Sequence, residues 1–259
     1  MTQEHLIVEK SGPVLSLTLN RPESLNAFSP EMIIGLTSAI RDAQADADVQ
    51  VIILSGAGRA FSAGGDVKTM GQADPAQAYE HIGKLNELIL TMKATEKPII
   101  AAVHGFAAGA GFNLALACDL IAAAEDSKFA LSFSQVGLVS DGGGSYFLPR
   151  LIGPHLAKEF FLSAEPISAQ RLYGLGVINF LFPLEKLQEG TTKLVLKLAH
   201  GPGKAFGKQK KLIDHSFTAT LEEILEEERL TQTLMVQTED HQEGIAAFKD
   251  KRKPIFKGK

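Results

Sequence analysis

The sequence predicts a layered α/β fold, and three observations carry that expectation. Short apolar runs of strand length recur through the first half of the chain, at 13–19, 51–54 and 98–103. Segments with apolar residues at helical spacing, or with helix-start signals, lie between them. Glycine-rich loops join the two kinds of element, giving a β–α–β–α rhythm that suits a sheet covered by helices.

Taken in order, PVLSLTL at 13–19 alternates apolar and polar residues as a half-buried strand does. After the loop NRPESLNAF, Ser29 and Pro30 mark a helix start: a hydroxyl N-cap, then proline at the first helical position. Met32, Ile33, Leu36 and Ile40 then keep one helix face apolar. VIIL at 51–54 is the continuous apolar run of a strand covered on both faces. The loop SGAGRAFSAGGD follows, then a helix over about 76–95 and a buried strand at Pro98–Val103. GFAAGAG turns into a helix through FNLALA, and DLIAAA reads as a further strand. Beyond about residue 150 the pattern is mostly helical, in GPHLAKEFFL, SAQRLYGLG, Leu184–Ala199 and Leu221–Leu234, with VINFLF the one strand among them. The change near 185 divides the chain into a core, residues 1–184, and a helical C-terminal region, residues 185–259.

Composition narrows the function. With 259 residues, 45% hydrophobic and 22% charged, the chain can bury a sizeable core and is neither disordered nor fibrous. A net charge of −4 does not suit neutralising phosphate backbones, so nucleic acid is not an expected partner. The single cysteine, Cys118, allows no intrachain disulfide and no cysteine-rich zinc site, and reads as an inert buried thiol. MTQEHLIVEKSG lacks the basic segment and apolar core of a secretory signal, which favours a cytoplasmic enzyme or binding protein. Residues 99–118 carry no charged side chain over a span of membrane-crossing length. Their alanines, glycines, His104 and Asn113 fit a buried strand, a glycine turn and a buried helix better than a membrane segment.

No phosphate-binding loop, zinc-binding H-E-x-x-H helix or G-x-S-x-G nucleophile elbow occurs, and the seven histidines show no metal-ligand spacing. GAGFNL at 109–114 has only part of a dinucleotide fingerprint. No metal and no separate cofactor are expected. What remains is two loops of small residues, each after a buried strand: Phe61–Lys68 and His104–Asn113. Loops so poor in side chains either let a ligand approach free backbone N–H groups or pack too tightly for Cβ. The second also opens a helix, whose N-terminus favours negative charge. His104 reads as a hydrogen-bonded core residue, and Asp66 as a turn residue that helps to fix its loop. Glu222, Glu223, Glu226, Glu227 and Glu228 form an acidic helical face, read as solvated or as a subunit contact. The tail from Lys249 to Lys259 has six basic residues against Asp250, the pattern of a solvated end.

Six ordered stretches make the chain similar to the enoyl-CoA hydratase/isomerase (crotonase) superfamily over its whole length. They are NRPESLNAFSPEM, FSAGGDVK, GFAAGAGFNLALACDLIAA, GLVSDGGGSYFLPRLIG, SAQRLYGLGVIN and AAFKDKRKPIFKGK. The resemblance implies a spiral of ββα turns, a C-terminal helical region used in trimerisation (a homotrimer or a dimer of trimers), and a coenzyme A thioester as substrate, with coenzyme A part of the substrate itself. It implies an oxyanion hole made by the backbone N–H groups of Gly65 and Ala110, which would hold the thioester oxygen as it becomes an enolate. It further implies that Ser24, Leu25, Ala63, Asp66, Val67 and Lys68 line the CoA channel. Lys253, Phe256 and Lys257 would reach CoA phosphates or adenine.

The acid/base groups depart from the family's hydratases, which carry two glutamates. Asn113 and Phe133 stand at those positions here, beside the bound acyl group. An amide is at best a hydrogen-bonding group, and a phenyl ring moves no proton. A carboxylate appears instead at Asp141, an arrangement similar to several enoyl-CoA isomerases, including the ring-opened phenylacetyl-CoA pathway type. One carboxylate suffices to shift a double bond, and poor solvation near Phe133 and Phe147 would raise its pKa. Locally, Asp141 before Gly142-Gly143-Gly144 is equally a helix N-cap. The resemblance favours catalysis by Asp141, with hydration by Asp141 and Asn113 and a non-catalytic thioester-binding subunit as the alternatives.

Overall fold

Gly12 and Pro13 turn the chain back on itself, pairing β1 (Leu6–Ser11) and β2 (Val14–Leu19) as an antiparallel hairpin. The structure, a computed structural model, describes residues 4–66 and 74–259. β1 is a largely exposed edge strand and so leaves little apolar signature in the sequence. From β2 onward the sheet is parallel, with β3 (Val51–Gly56), β4 (Ile99–Val103), β6 (Leu120–Ala124) and β9 (Phe180–Phe182) in the order β1-β2-β3-β4-β6-β9. A second, smaller sheet joins β5 (Phe106–Ala108), β7 (Lys128–Ala130) and β8 (Ile167–Ser168). β4 passes into β5 and β6 into β7 across short turns. Each strand pair then leads to a helix, so the expected ββα spiral is present.

The helix signals hold where they are local. α1 (Pro30–Ala45) begins at Ser29, whose Oγ accepts the Met32 N–H at 3.1 Å, and it buries Met32, Ile33, Leu36 and Ile40. α2 (Pro75–Ala94) starts from an Asp74–Gln77 capping box. α3 (Ala110–Ala117) is buried along its whole length, as expected of a segment without charge. α4 (Gly144–Ile152), α5 (Pro154–Ser163), α6 (Ala169–Gly174), α7 (Leu184–Ala199), α8 (Gly203–Ser216), α9 (Leu221–Met235) and α10 (Glu239–Lys249) follow. α8 escapes a pattern reading because it has two glycines and no side-chain cap. No helix among the described residues is long and apolar enough to cross a membrane. The uncharged stretch 99–118 is instead β4, β5 and α3.

Different helices cover the two faces of the large sheet. α1, α2 and α3 cover one face of the large sheet in a single continuous core. The other face is closed by α7: Val195 and Ala199 pack on Val14, Val51 and Ile100, and Leu187 on Ala122 and Ala124. The expected boundary near 185 falls at the start of α7, the helix that seals this face. The loops that leave the carboxyl ends of β3 and β4 meet beneath α3.

Candidate active site

The two small-residue loops come together as backbone against backbone. Phe61 N–H donates to His104 O at 2.9 Å, Ser62 N–H to Phe106 O at 3.1 Å, and Ala108 N–H to Ser62 O at 2.9 Å. The segment 62–65 thus runs as an extra short strand beside β5, and Phe28 pairs with Gly65 on its other side. Gly64 has φ +82°, and a Cβ there would lie 2.5 Å from Ala108 O and 2.7 Å from Ala110 N. At Gly111 a Cβ would meet Ser62 O at 2.5 Å. Glycine is needed at both places because no side chain fits between the loops.

The same pairing governs which N–H groups remain. Phe28 N–H is spent on Gly64 O at 2.7 Å, and Gly109 N–H on Ala130 O at 2.8 Å. Ala110 opens α3, where a first-turn N–H has no intrahelical acceptor. Among the described residues, neither Gly65 N–H nor Ala110 N–H donates to a protein acceptor.

A polar clasp missed in the sequence holds the first loop. Asn26 is fully buried in a left-handed conformation, and its Nδ2 donates to Ala57 O and Ala60 O, both at 2.8 Å. Its Oδ1 accepts Arg21 N–H at 2.9 Å. Ser62 Oγ donates to Asn26 O at 2.8 Å and accepts Gly64 N–H at 3.1 Å. Asp66 is ion-paired with Arg21 at 3.2 Å, and Arg21 also donates to Ala27 O. Nothing local distinguishes Asn26 from any polar loop residue, since its partners lie far along the chain. Asn26→Ala would strand two buried carbonyls and one N–H. It is expected to lower the unfolding free energy by about 2–4 kcal/mol, checked by urea denaturation.

Of the residues expected to line a channel, Leu25 and Ala63 join through Ala63 N–H and Leu25 O at 2.8 Å, and the half-buried Ser24 lies just before them. Val67 and Lys68 lie outside the described residues. Phe133 is half-buried over the second loop, its Cζ 3.7 Å from where a Cβ on Gly109 would stand. His104 Nε2–H donates to Gly58 O, 2.8 Å away. Burial pushes the Cys118 thiol up, as an inert buried cysteine requires.

Asp141 sits in the loop before α4, and the capping alternative is overturned there. α4 starts at Gly144 with Gly143 as N-cap and no side-chain capping bond. It is the Asp141 carbonyl, not its carboxylate, that receives Gly144 N–H at 3.2 Å. The carboxylate oxygen Oδ1 is buried without a protein partner. Burial pushes the Asp141 pKa up to about 6. Asn113, expected to touch substrate, lies beside this loop. It is wholly buried and turned toward this loop, with Nδ2 donating to Ser140 Oγ at 3.0 Å and to Asp141 O at 2.8 Å. It stands three residues after Ala110 on α3, roughly 5 Å further along the helix axis.

The C-terminal tail is not brought to these loops within the chain. Asp240 accepts Lys257 N–H at 2.7 Å and Gly258 N–H at 2.9 Å. Phe256 lies over Gly244, Lys253 is exposed, and Gly258 abuts Gln50. Gln50 precedes β3, at the end of the strand opposite the loops, roughly 20 Å away along the strand. Backbone ties to α10, which a charge count does not reveal, hold Lys253, Phe256 and Lys257 there.

Residues 9–259 match the model of the enoyl-CoA hydratase/isomerase family. The chain is 36% identical over 254 residues to the 2,3-dehydroadipyl-CoA hydratase of Escherichia coli (strain K12), covering 98% of this chain and 99% of that protein. It is 37% identical over 257 residues to the 1,2-epoxyphenylacetyl-CoA isomerase of the same organism, with 97% of each chain covered. A crystal structure of an enoyl-CoA hydratase from Bacillus anthracis superposes with a TM-score of 0.94 at 31% identity, covering 98% of this chain and all of that one.

Proposed function

Because the chain belongs to the enoyl-CoA hydratase/isomerase family, we propose that it shifts a carbon–carbon double bond in an acyl-CoA thioester, with Asp141 as its proton carrier. The observation that carries this reading is a buried Asp141 carboxylate oxygen without a protein partner, in a loop that Asn113 ties to the helix opening with the unspent Ala110 N–H. Sequence identity does not choose between hydration and isomerisation, since a hydratase and an isomerase are matched about equally.

In this reading the thioester oxygen accepts from Gly65 N–H and Ala110 N–H, which polarises the carbonyl. The Asp141 carboxylate takes a proton from C2 of a 3-enoyl-CoA. The C–H electron pair forms the C1–C2 double bond of a dienolate, and the negative charge rests on the oxygen between the two N–H groups. The neutral acid returns the proton to C4, the double bond settles at C2–C3, and no atom is gained or lost. A raised pKa suits Asp141 to both halves of the step. Phe133 supplies an apolar wall beside Gly109 and offers no second proton-transfer group.

A paired assay tests the reading: a 3-enoyl-CoA and a 2-enoyl-CoA of equal chain length, each with Asp141→Asn alongside. Migration in the first arm that is lost in the variant is the expected result. Hydration in the second arm without migration in the first would make the chain a hydratase, and CoA binding without turnover in either would favour a thioester-binding subunit.

For the assembly we propose a homotrimer or a dimer of trimers. Its support is the exposure of four leucines on α9, Leu221 with Leu225 on one face and Leu230 with Leu234 on the other, each more than half exposed in the isolated chain. Sedimentation velocity is expected to give a trimer or hexamer, and Leu225→Glu with Leu230→Glu to shift it toward monomer.

A further inference from the structure

Asn113 has an unusual position for a polar residue. It lies on a fully buried helix, none of its surface is exposed, and its Oδ1 is a buried acceptor without a partner. Such an acceptor is costly, so the other half of the amide must matter. Nδ2 carries two hydrogens and both are used, at 3.0 Å to Ser140 Oγ and at 2.8 Å to Asp141 O. The orientation of the amide follows from its partners: a backbone carbonyl only accepts, so nitrogen must face Asp141 O. Ser140 Oγ, having accepted from Asn113, directs its own proton to Asp141 O at 3.3 Å. Gly144 N–H reaches the same carbonyl from the far side at 3.2 Å. Even the neighbouring glycine fits this arrangement, because a Cβ on Gly144 would collide with Asn113 Oδ1.

This tie acts where the chain is otherwise least constrained. Gly137, Gly142 and Gly143 all have positive φ, and residues 134–139 are exposed. Locking the Asp141 carbonyl between α3 and α4 fixes ψ of Asp141, and with it the direction in which its side chain leaves the backbone. The lock belongs to the same helix that presents Ala110 N–H. Alanine at 113 would supply no donor, and a carboxylate would set acceptor against acceptor at Asp141 O.

We propose that Asn113 is the positioning residue of the proton-transfer step: its amide anchors the Asp141 backbone to α3, holding the carboxylate in register with the Ala110 N–H. This rests on the reading of Asp141 as the proton carrier. Asn113 itself touches no substrate and moves no proton.

The test compares wild type with Asn113→Asp, Asn113→Ala and the milder Ser140→Ala, with Asp141→Asn as control. Two quantities are read: the kinetics of 3-enoyl-CoA isomerisation across pH, and the ¹³C titration of the Asp141 carboxyl, which needs no substrate and is assigned by its loss in Asp141→Asn. The Asn113 variants are expected to lower kcat about 30–100-fold, the cost of misplacing a reacting group by about an ångström. KM should stay within about threefold, because uniform binding is untouched. The Asp141 titration midpoint should move in both variants, upward in Asn113→Asp where a second carboxylate is added. Ser140→Ala, which keeps the amide, should lose about 3–10-fold in kcat and serves if the Asn113 variants fold poorly.

Folded Asn113 variants with wild-type kcat and an unmoved Asp141 midpoint would overturn the proposal, as would a loss of melting temperature alone. If Asp141→Asn keeps full activity, the proton-carrier reading fails on its own evidence. If Asp141→Asn is inactive while the Asn113 variants titrate and turn over as wild type, only the positioning role fails.

Discussion

Asp141→Asn is expected to slow double-bond migration by about three orders of magnitude, the middle of the range for removing a positioned acid/base group. The same change is expected to stabilise the fold at neutral pH, and the two effects have one cause. Burial raises the Asp141 pKa to about 6, from an ordinary aspartate value near 3.9. The folded chain therefore retains a proton, over the window from about pH 4 to about 6, that the unfolded chain has already released. A state that binds more protons loses ground as pH rises, so wild-type stability falls through that window. The asparagine variant carries no such loss. It should match wild type below about pH 4 and exceed it by about 2–3 kcal/mol above about pH 6. Urea denaturation at both ends of the window measures this without any substrate. Activity runs the opposite way: the base must be ionised, so wild-type kcat/KM should climb about tenfold per pH unit below about 6 and level off above it. A variant that is inactive yet no more stable at pH 7 than wild type would mean that the carboxylate is better solvated than its burial implies.

Gly64→Ala is the second large effect expected. A Cβ at Gly64 would press on Ala108 O and Ala110 N at 2.5 and 2.7 Å, and both contacts are backbone, which yields only by moving the loops apart. Separating Gly65 N–H from Ala110 N–H should cost about 10²–10³-fold in kcat, the scale of losing an oxyanion donor. The left-handed φ of +82° adds backbone strain of about 1–3 kcal/mol. Gly12→Ala separates the two causes. Gly12 also has positive φ, +56°, but nothing stands within 4 Å of its would-be Cβ. It should lose stability by a comparable strain and keep its activity. If Gly64→Ala loses no more activity than Gly12→Ala, the apposition of the two loops is not what the reaction uses.

Both predictions concern contacts between residues distant in sequence, and that is where a linear reading gives out. The start of α1 is legible because Ser29, Pro30 and the spacing of Met32, Ile33, Leu36 and Ile40 are local signals. The buried strands are legible for the same reason: a short run without polar residues has no other comfortable place than the middle of a covered sheet. The small-residue loops could be seen to be special, and their resemblance to a family could be stated. That glycine is obligatory at 64 and 111 could not be seen, since each is required by an atom of the other loop.

The acid/base region shows the division most clearly. Local sequence left Asp141 open between an N-cap and a catalytic carboxylate, because an aspartate before glycines serves either. Tertiary structure closes the first option: α4 begins two residues too late, at Gly144, and the loop turns the Asp141 carbonyl rather than the carboxylate toward it. Asn113 is expected from the resemblance to touch substrate, and only the approach of the 140–141 loop gives its amide partners at Ser140 and Asp141. The basic tail reads by charge as a solvated end and by resemblance as a CoA-phosphate contact, and only the structure shows its ties to Asp240, which hold it at the far end of β3 within the chain. By itself the sequence determined the α/β layering, the helix start at Ser29, the two loops of small residues and the lone carboxylate at 141, since periodicity, capping and side-chain chemistry are properties of neighbouring residues. Only the tertiary structure decided which loop faces which, which N–H groups are left unspent and which polar side chains are shut inside, because hydrogen-bond partners and exclusion of water are properties of the packed chain.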